Sequence, residues 1–309
     1  MEVTCPGESG TVQAVPMNIL LESTTSTTSV GRIREKTEMS SRTPPVFRIS
    51  GVNMPNIEVT AIPAFSDNYI WLISTGGTSC AIVDPGDAQP VLDVLNERGL
   101  KLEYILITHH HADHIGGMRR LQELSNAEIY GPHDRRIPGQ SRMFGEGETV
   151  DLPKLGLEFG VLEVPGHTSS HIAFHGHGCL FCGDTLFSVG CGRLFEGSPE
   201  QMQSSLDKLA GLPPDSRVYC AHEYTLSNCH FALAVEPENP DLVRRAREVE
   251  AAREQGKRTV PSTLDEEIAV NPFLRCRQEA VVAAARKRLA GVEPGAETLA
   301  VIRAWKDSF

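Results

Sequence analysis

The chain has 309 residues, 40% of them hydrophobic and 22% charged, which is ordinary globular material for one large domain or one plus a smaller one. No stretch reaches the ~18 apolar residues of a membrane helix, so no membrane partner is expected. A net charge of -11 excludes a general nucleic-acid surface, which needs a basic face, yet leaves room for a few basic residues that receive an acidic small molecule.

The first fifty-odd residues are polar and without period, as in Thr24-Thr25-Ser26-Thr27-Thr28-Ser29 and Ser40-Ser41-Arg42-Thr43-Pro44-Pro45. Such a segment buries too little apolar surface to offset its ordering entropy, so residues 1–53 are expected to be a disordered extension, with Met54 as an alternative start. From Ile57 the pattern changes to short β-branched runs bounded by Gly, Asp or Pro, which predict strands over 57–62, 69–74, 80–83 and 102–107. Val91 to Arg98 has helical spacing and stops at Gly99. Another helix is expected after His114, with Met118, Leu121 and Leu124 on one face. Strands resume over 127–130, 157–164, 171–174, 179–181 and 218–220. Ser198-Pro199-Glu200-Gln201 is a capping box that opens a helix to Leu209.

After Tyr224 the strand signals vanish, and helices are predicted from Asn239-Pro240, from Thr263, over 278–289 and over 297–305. The chain therefore reads as strands with interspersed helices, α/β or α+β. Its expected organisation is a catalytic domain over 54–225 and a helical C-terminal domain over 226–309. The latter looks too small and too polar for a core of its own, which suits a lid or substrate-side domain.

Eight cysteines, Cys5, Cys80, Cys179, Cys182, Cys191, Cys220, Cys229 and Cys276, lie in apolar contexts that suit a reducing compartment and a cytoplasmic location. The excess of Arg and Lys over acid after Gly31 makes a mitochondrial location the alternative. Cys179-Leu180-Phe181-Cys182 matches C-x-x-C but sits in an apolar run with no second pair, so two buried strand residues are expected.

The chemistry concentrates in Thr108-His109-His110-His111-Ala112-Asp113-His114, just past the end of a predicted strand. In extended backbone, residues i and i+2 point the same way, so His109 and His111 can chelate one ion. Asp113 and His114 follow where the chain turns into a helix and can reach a second ion beside the first. Imidazole and carboxylate suit zinc, iron or manganese. Four ligands do not fill two catalytic sites, and His167, Asp184 and His222 each stand just past a predicted strand, as His109 does. His110 should point away from this set, and His171 is expected to be structural. His175 and His177 fall in a glycine-flanked hairpin, while His133 and His230 have no supporting context.

Four motifs, Thr-His-His-His-Ala-Asp-His (108–114), Pro-Gly-His-Thr-Ser (165–169), Gly-Asp-Thr-Leu-Phe (183–187) and Ala-His-Glu-Tyr-Thr (221–225), resemble the metallo-β-lactamase superfamily. Asp67-Asn68-Tyr69, Gly190-Cys191-Gly192-Arg193, Val260-Pro261-Ser262-Thr263, Asn271-Pro272-Phe273 and the final Arg303-Ala304-Trp305-Lys306-Asp307 narrow the resemblance to glyoxalase II, the hydroxyacylglutathione hydrolases. The resemblance implies an α+β, four-layer αββα sandwich with a helical C-terminal domain over the active site. It further implies two divalent ions, zinc first with iron or manganese as alternatives. His109, His111 and His167 would hold one, Asp113, His114 and His222 the other, with Asp184 between them.

On the same basis Arg303, Lys306 and Tyr224 would take the glycine carboxylate of glutathione, and the loop bearing Arg193 would touch the tripeptide. Phe195 stands where some members have Tyr, so one hydrogen bond to the ligand would be missing. The implied reaction is hydrolysis of S-(2-hydroxyacyl)glutathione, chiefly S-D-lactoylglutathione, by a water activated between the metals, with Asp113 orienting it and Asp184 bridging. A monomer is expected. The competing expectations are a one-iron persulfide dioxygenase of the same superfamily, against which the long helical C-terminus speaks, and a non-catalytic glutathione- or metal-binding module.

Overall fold

The computed structural model describes residues 56–309, so the expectations for 1–53 and for a start at Met54 fall outside the described residues. The first strands are β1 (Glu58–Ala64), β2 (Asn68–Ser74) and β3 (Ser79–Val83), followed by helix α1 (Ala88–Arg98) and β4 (Lys101–Leu106). Asp87 caps α1 by accepting the Gln89 N–H, and Gly99 ends it in the left-handed region at φ 61°, which a glycine adopts without a Cβ clash. Next come α2 (Ala112–Ile115), α3 (Met118–Ser125), β5 (Glu128–Pro132) and β6 (Arg142–Phe144), then β7 (Thr149–Leu152), β8 (Leu157–Glu163), β9 (Ile172–Gly176) and β10 (Cys179–Gly183). A short hairpin, β11 (Leu186–Phe187) and β12 (Gly190–Cys191), precedes α4 (Pro199–Ala210), which has the expected capping box, and β13 (Arg217–Cys220). The remainder is α5 (Thr225–Val235), α6 (Pro240–Glu254), β14 (Ser262–Thr263), α7 (Leu264–Val270), α8 (Glu279–Arg286) and α9 (Ala296–Asp307).

Two six-stranded sheets, in the orders β1-β2-β3-β4-β5-β6 and β14-β13-β10-β9-β8-β7, face each other. Between them pack Trp71, Tyr104, Tyr130, Phe159, Phe174 and Phe181. Alternation along the strands sends Ile70, Leu72, Ile82 and Ile105 to the opposite face, where Val91 and Leu95 of α1 and Met118 and Leu121 of α3 cover them. Leu206 of α4, Val281 of α8 and Leu299 of α9 join the core cluster of the second sheet, and α9 packs on α4 and α8. This is an αββα sandwich. Because β3 and β4 run parallel, as do β10 and β13, their C-terminal ends collect along one edge. That edge carries the site.

Two expectations are corrected. Leu124 is 63% exposed and does not share the buried face of α3. Each three-residue step lags the helical period by about 60°, so Leu124 lies about 120° round from Met118. Strands do not vanish after Tyr224, since β14 pairs with β13, but two residues are too few to show a period. The C-terminal region, expected to lack a core of its own, shares that of the catalytic domain. Phe231, Phe273, Leu299 and Ile302 are continuous with the main core, and Cys229, Leu242, Val249 and Val270 form a second cluster with Val189.

Candidate metal centre

β4 delivers the histidine run to the sheet edge, and a carboxylate at the end of the neighbouring β3 fixes it there. Asp84 accepts the Thr108 N–H at 2.8 Å and the Thr108 hydroxyl at 2.7 Å. Held this way, His109 Nε2 lies 3.1 Å from His111 Nδ1, which lies 3.0 Å from His167 Nε2. Ligands about 2.0–2.1 Å from a tetrahedral ion stand about 3.4 Å apart, so these three nitrogens are spaced to share one.

A second group adjoins the first. Asp113 Oδ2 is 3.5 Å from His114 Nε2 and 3.4 Å from His222 Nε2. Asp184 faces both groups, its Oδ1 3.4 Å from His114 and from His222, its Oδ2 3.4 Å from His167. A register shift between Phe181 and Gly183 turns the chain just before Asp184 and aims it inward. His114 Nε2 and Asp184 Oδ1 are buried with no hydrogen-bond partner. Buried polar atoms are rarely left so, and a cation between them would satisfy both. Asp84, His109 and His114 also bring donor atoms within reach of one another. The Asp84 oxygens are already engaged by Thr108 and His114, which makes Asp84 an orienting group.

The far nitrogens of three of these imidazoles are tied down. His114 Nδ1 donates to Asp84 at 3.0 Å, His222 Nδ1 to Asp67 at 2.7 Å, and His167 Nδ1 to the Arg193 carbonyl at 2.9 Å. These bonds fix the ring orientations and turn the near nitrogens toward the centre. Asn68 donates to Asp113 at 3.0 Å. His171 stacks on His109 with centroids 4.5 Å apart, and its Nε2 accepts the Asp184 N–H at 3.1 Å. Its structural role is therefore to hold Asp184.

Burial pushes His109 well below the usual histidine range and lowers His111 and His167, so that group is neutral and ready to ligate. Burial would also lower His114, but Asp184 and Asp84 outweigh it and hold it well above. His222 rises to about 10 against the same burial, through the Asp113 and Asp184 carboxylates 3.4 Å away. The carboxylates around the second group thus stabilise positive charge at this place, which a bound cation can supply instead of the two protons. Neutral imidazoles, convergent carboxylates and orphaned atoms together make this a divalent-metal centre.

Asp84, Asp67 and Asn68 escaped sequence reasoning as site residues. Val83-Asp84 shows the same step from strand to ligand-type residue as His109, and that signal was available. The other histidines stand apart from the centre. His110 turns outward, 3.5 Å from both Asp134 and Glu196. His175 meets the Ser216 hydroxyl and His177 accepts the Glu158 N–H, so the two do not converge. His133 and His230 are exposed. All seven described cysteines are buried and free, Cys179 and Cys182 as strand residues.

The residues expected to bind substrate divide. Tyr224 stacks on His222 with centroids 4.6 Å apart, and the 62%-exposed Phe195 packs edge-on against His111 and His167. Arg193 pairs with Asp307 at 3.3 Å at the surface. Lys306 Nζ donates to the Ser227 hydroxyl at 3.1 Å; burial first, then the charges of Arg303 and Arg193, bring it down to about 8. Arg303 departs from expectation. It is 6% exposed, and its two terminal nitrogens donate to the Cys191 carbonyl at 2.8 Å and to Asp307 at 3.0 Å. It lies beneath the surface because α9 packs it over the Phe273 ring, 5.1 Å from the centroid, where it braces the loop.

Comparison with known proteins agrees with this architecture. Residues 64–222 match the family model described as metallo-beta-lactamase superfamily, and residues 223–309 match that described as hydroxyacylglutathione hydrolase C-terminus. The chain is 53% identical over 254 residues to the hydroxyacylglutathione hydrolase of Photobacterium profundum, covering 82% of this chain and 100% of the relative. It is 50% identical over 256 residues to that of Pseudomonas fluorescens, again covering 82% of this chain and 100% of the relative. Among solved structures, ETHE1 from Myxococcus xanthus is similar with a TM-score of 0.54 at 24% identity, covering 82% of this chain and 98% of that one, a likeness of fold alone. With both family models tiling residues 64–309 and about half of all positions shared across the full length of its relatives, the chain belongs to the hydroxyacylglutathione hydrolase family.

Proposed function

We propose that this chain hydrolyses the thioester of S-(2-hydroxyacyl)glutathione, S-D-lactoylglutathione first, to glutathione and a 2-hydroxy acid, D-lactate. This is the second step of methylglyoxal detoxification. The observation that carries the proposal is Asp184, whose two oxygens face two different groups of imidazole nitrogens. His109, His111 and His167 would hold one divalent ion, Asp113, His114 and His222 a second, with Asp184 shared; zinc suits the set, and iron or manganese are alternatives. When bound, such ions supply Lewis acidity and a water of lowered pKa next to the thioester carbonyl.

The chain's own residues do the rest. Asp113, the most exposed of the carboxylates facing the site, is steadied by Asn68 and orients the attacking water. Asp84, Asp67 and the Arg193 carbonyl keep the imidazoles in place through the reaction. The Phe195 ring limits water over His111 and His167. A thiol of pKa about 8.5 leaves without strong acid help. Lys306 and Arg193 supply the positive charge that an anionic tripeptide needs, with Tyr224 beside the metal end and Arg303 fixing the loop.

The test is thioester loss from S-D-lactoylglutathione by purified protein, before and after chelation, with metal content measured in parallel. Metal-dependent turnover supports the proposal, and its absence refutes it. One iron per chain with oxygen consumption would favour the dioxygenase branch.

A further inference from the structure

Helix α7 carries a carboxylate outside the ligand set. Glu267 is 0% exposed, and the partners bonded to it are uncharged: the N–H of Val189 at 2.7 Å and the Asn271 amide at 3.0 Å. Burying a carboxylate is costly, and a residue that contributed only packing would be apolar here.

Its target is the turn between β11 and β12. Val189 sits there at φ 58°, in the left-handed region that β-branched residues avoid. Asn271 donates to the carbonyls of Phe187 at 3.1 Å and Gly190 at 2.9 Å, and Asn228 to that of Ser188 at 3.0 Å. Four backbone groups of one turn are thus held by side chains from α5, from α7 and from Asn271, the residue that caps α7. The hairpin is the spacer between two parts of the metal centre. Asp184 and Thr185 lead into it, and Gly192 closes back on the Thr185 carbonyl at 3.2 Å. The next residue, Arg193, presents the carbonyl that takes the His167 Nδ1 proton.

We propose that Glu267, with Asn271 and Asn228, is a positioning device for the metal centre. By pinning a strained turn, it sets where Asp184 and the Arg193 carbonyl stand, so the C-terminal helices shape the metal site as well as the substrate side. This rests on the metal-site proposal above.

The test uses the full chain, wild type, Glu267→Ala and Glu267→Gln, each loaded with cobalt(II). Four quantities are read: metal loss to a chelator, the visible cobalt absorption, Tm, and kcat with KM. Glu267→Ala should lose metal about tenfold faster and shift the cobalt band, with kcat down about tenfold and KM within about twofold. Glu267→Gln keeps an acceptor for the Val189 N–H and should stay near wild type throughout. A Glu267→Ala protein with lowered Tm but wild-type metal loss, absorption and kcat overturns the proposal. If that variant does not fold, Asn228→Ala decides: faster metal loss supports the proposal and unchanged loss overturns it. A wild type that binds no cobalt would instead fail the metal-site proposal itself.

Discussion

Asp84→Asn is the substitution whose consequence the structure defines most sharply. The change is isosteric, so packing is kept, but an acceptor becomes a donor. Asp84 Oδ2 takes protons from the Thr108 hydroxyl and from His114 Nδ1, while Oδ1 takes the Thr108 N–H. With the amide nitrogen in the Oδ2 position, His114 Nδ1 must accept and its proton moves to Nε2. That is the atom 3.4 Å from Asp184 and 3.5 Å from Asp113, so the nitrogen needed for the metal is blocked. With the amide flipped, two N–H groups face each other at Thr108. Either way a charge-assisted bond worth about 1.5–3 kcal/mol is lost from stability. Loss of such an orienting group should weaken metal binding about 10- to 100-fold, about 1.4–2.7 kcal/mol, with a matching fall in turnover. Chelator competition gives the affinity and circular dichroism the folded fraction. A folded Asp84→Asn protein that binds metal as tightly as wild type would refute the tautomer argument.

Three further outcomes follow from the same geometry. Lys306, brought down to about 8, loses its charge as pH rises through that value, so KM for the anionic thioester should climb above pH 8 while kcat stays level. Lys306→Met should show the raised KM already at pH 7, and an unchanged KM there would remove Lys306 from substrate binding. Phe195→Tyr adds a hydroxyl at the site mouth; one hydrogen bond of about 1 kcal/mol should lower KM about fivefold with kcat unaltered. No change in KM would mean that the loop does not meet the ligand there. Phe231→Ala removes a fully buried ring stacked on Phe273 and set against Trp305, at an expected cost of about 3–5 kcal/mol and a Tm lower by about 10 °C. A loss below about 1 kcal/mol in thermal unfolding would contradict the shared core of sheet and C-terminal helices.

Much of the site was legible because its ligands follow a local rule. His109, His167, Asp184 and His222 all stand just past strands that periodicity reveals, and the fold gathers those ends on one edge. Asp67 and Asp84 obey similar local rules, but their role depends on contacts across 155 positions to His222 and 30 to His114, which no short window contains. The burial of Arg303 was hidden for a related reason. Helical spacing sets it on one face with Lys306, yet only the packing of α9 on Phe273 decides that the guanidinium turns inward. Helix α5, Thr-Leu-Ser-Asn-Cys-His-Phe-Ala-Leu-Ala-Val, was missed because it is buried on several sides and shows no polar stripe at the helical period. The pairs β6 with β5, β11 with β12 and β14 with β13 are too short for alternation to register.

The central claim is that two adjacent metal sites share Asp184 and act together. Metal-free protein titrated with zinc, with bound metal and S-D-lactoylglutathione turnover measured at each step, tests it most directly. Activity that rises until two ions are bound per chain is the predicted result. Full activity at one ion, or without any, would contradict it.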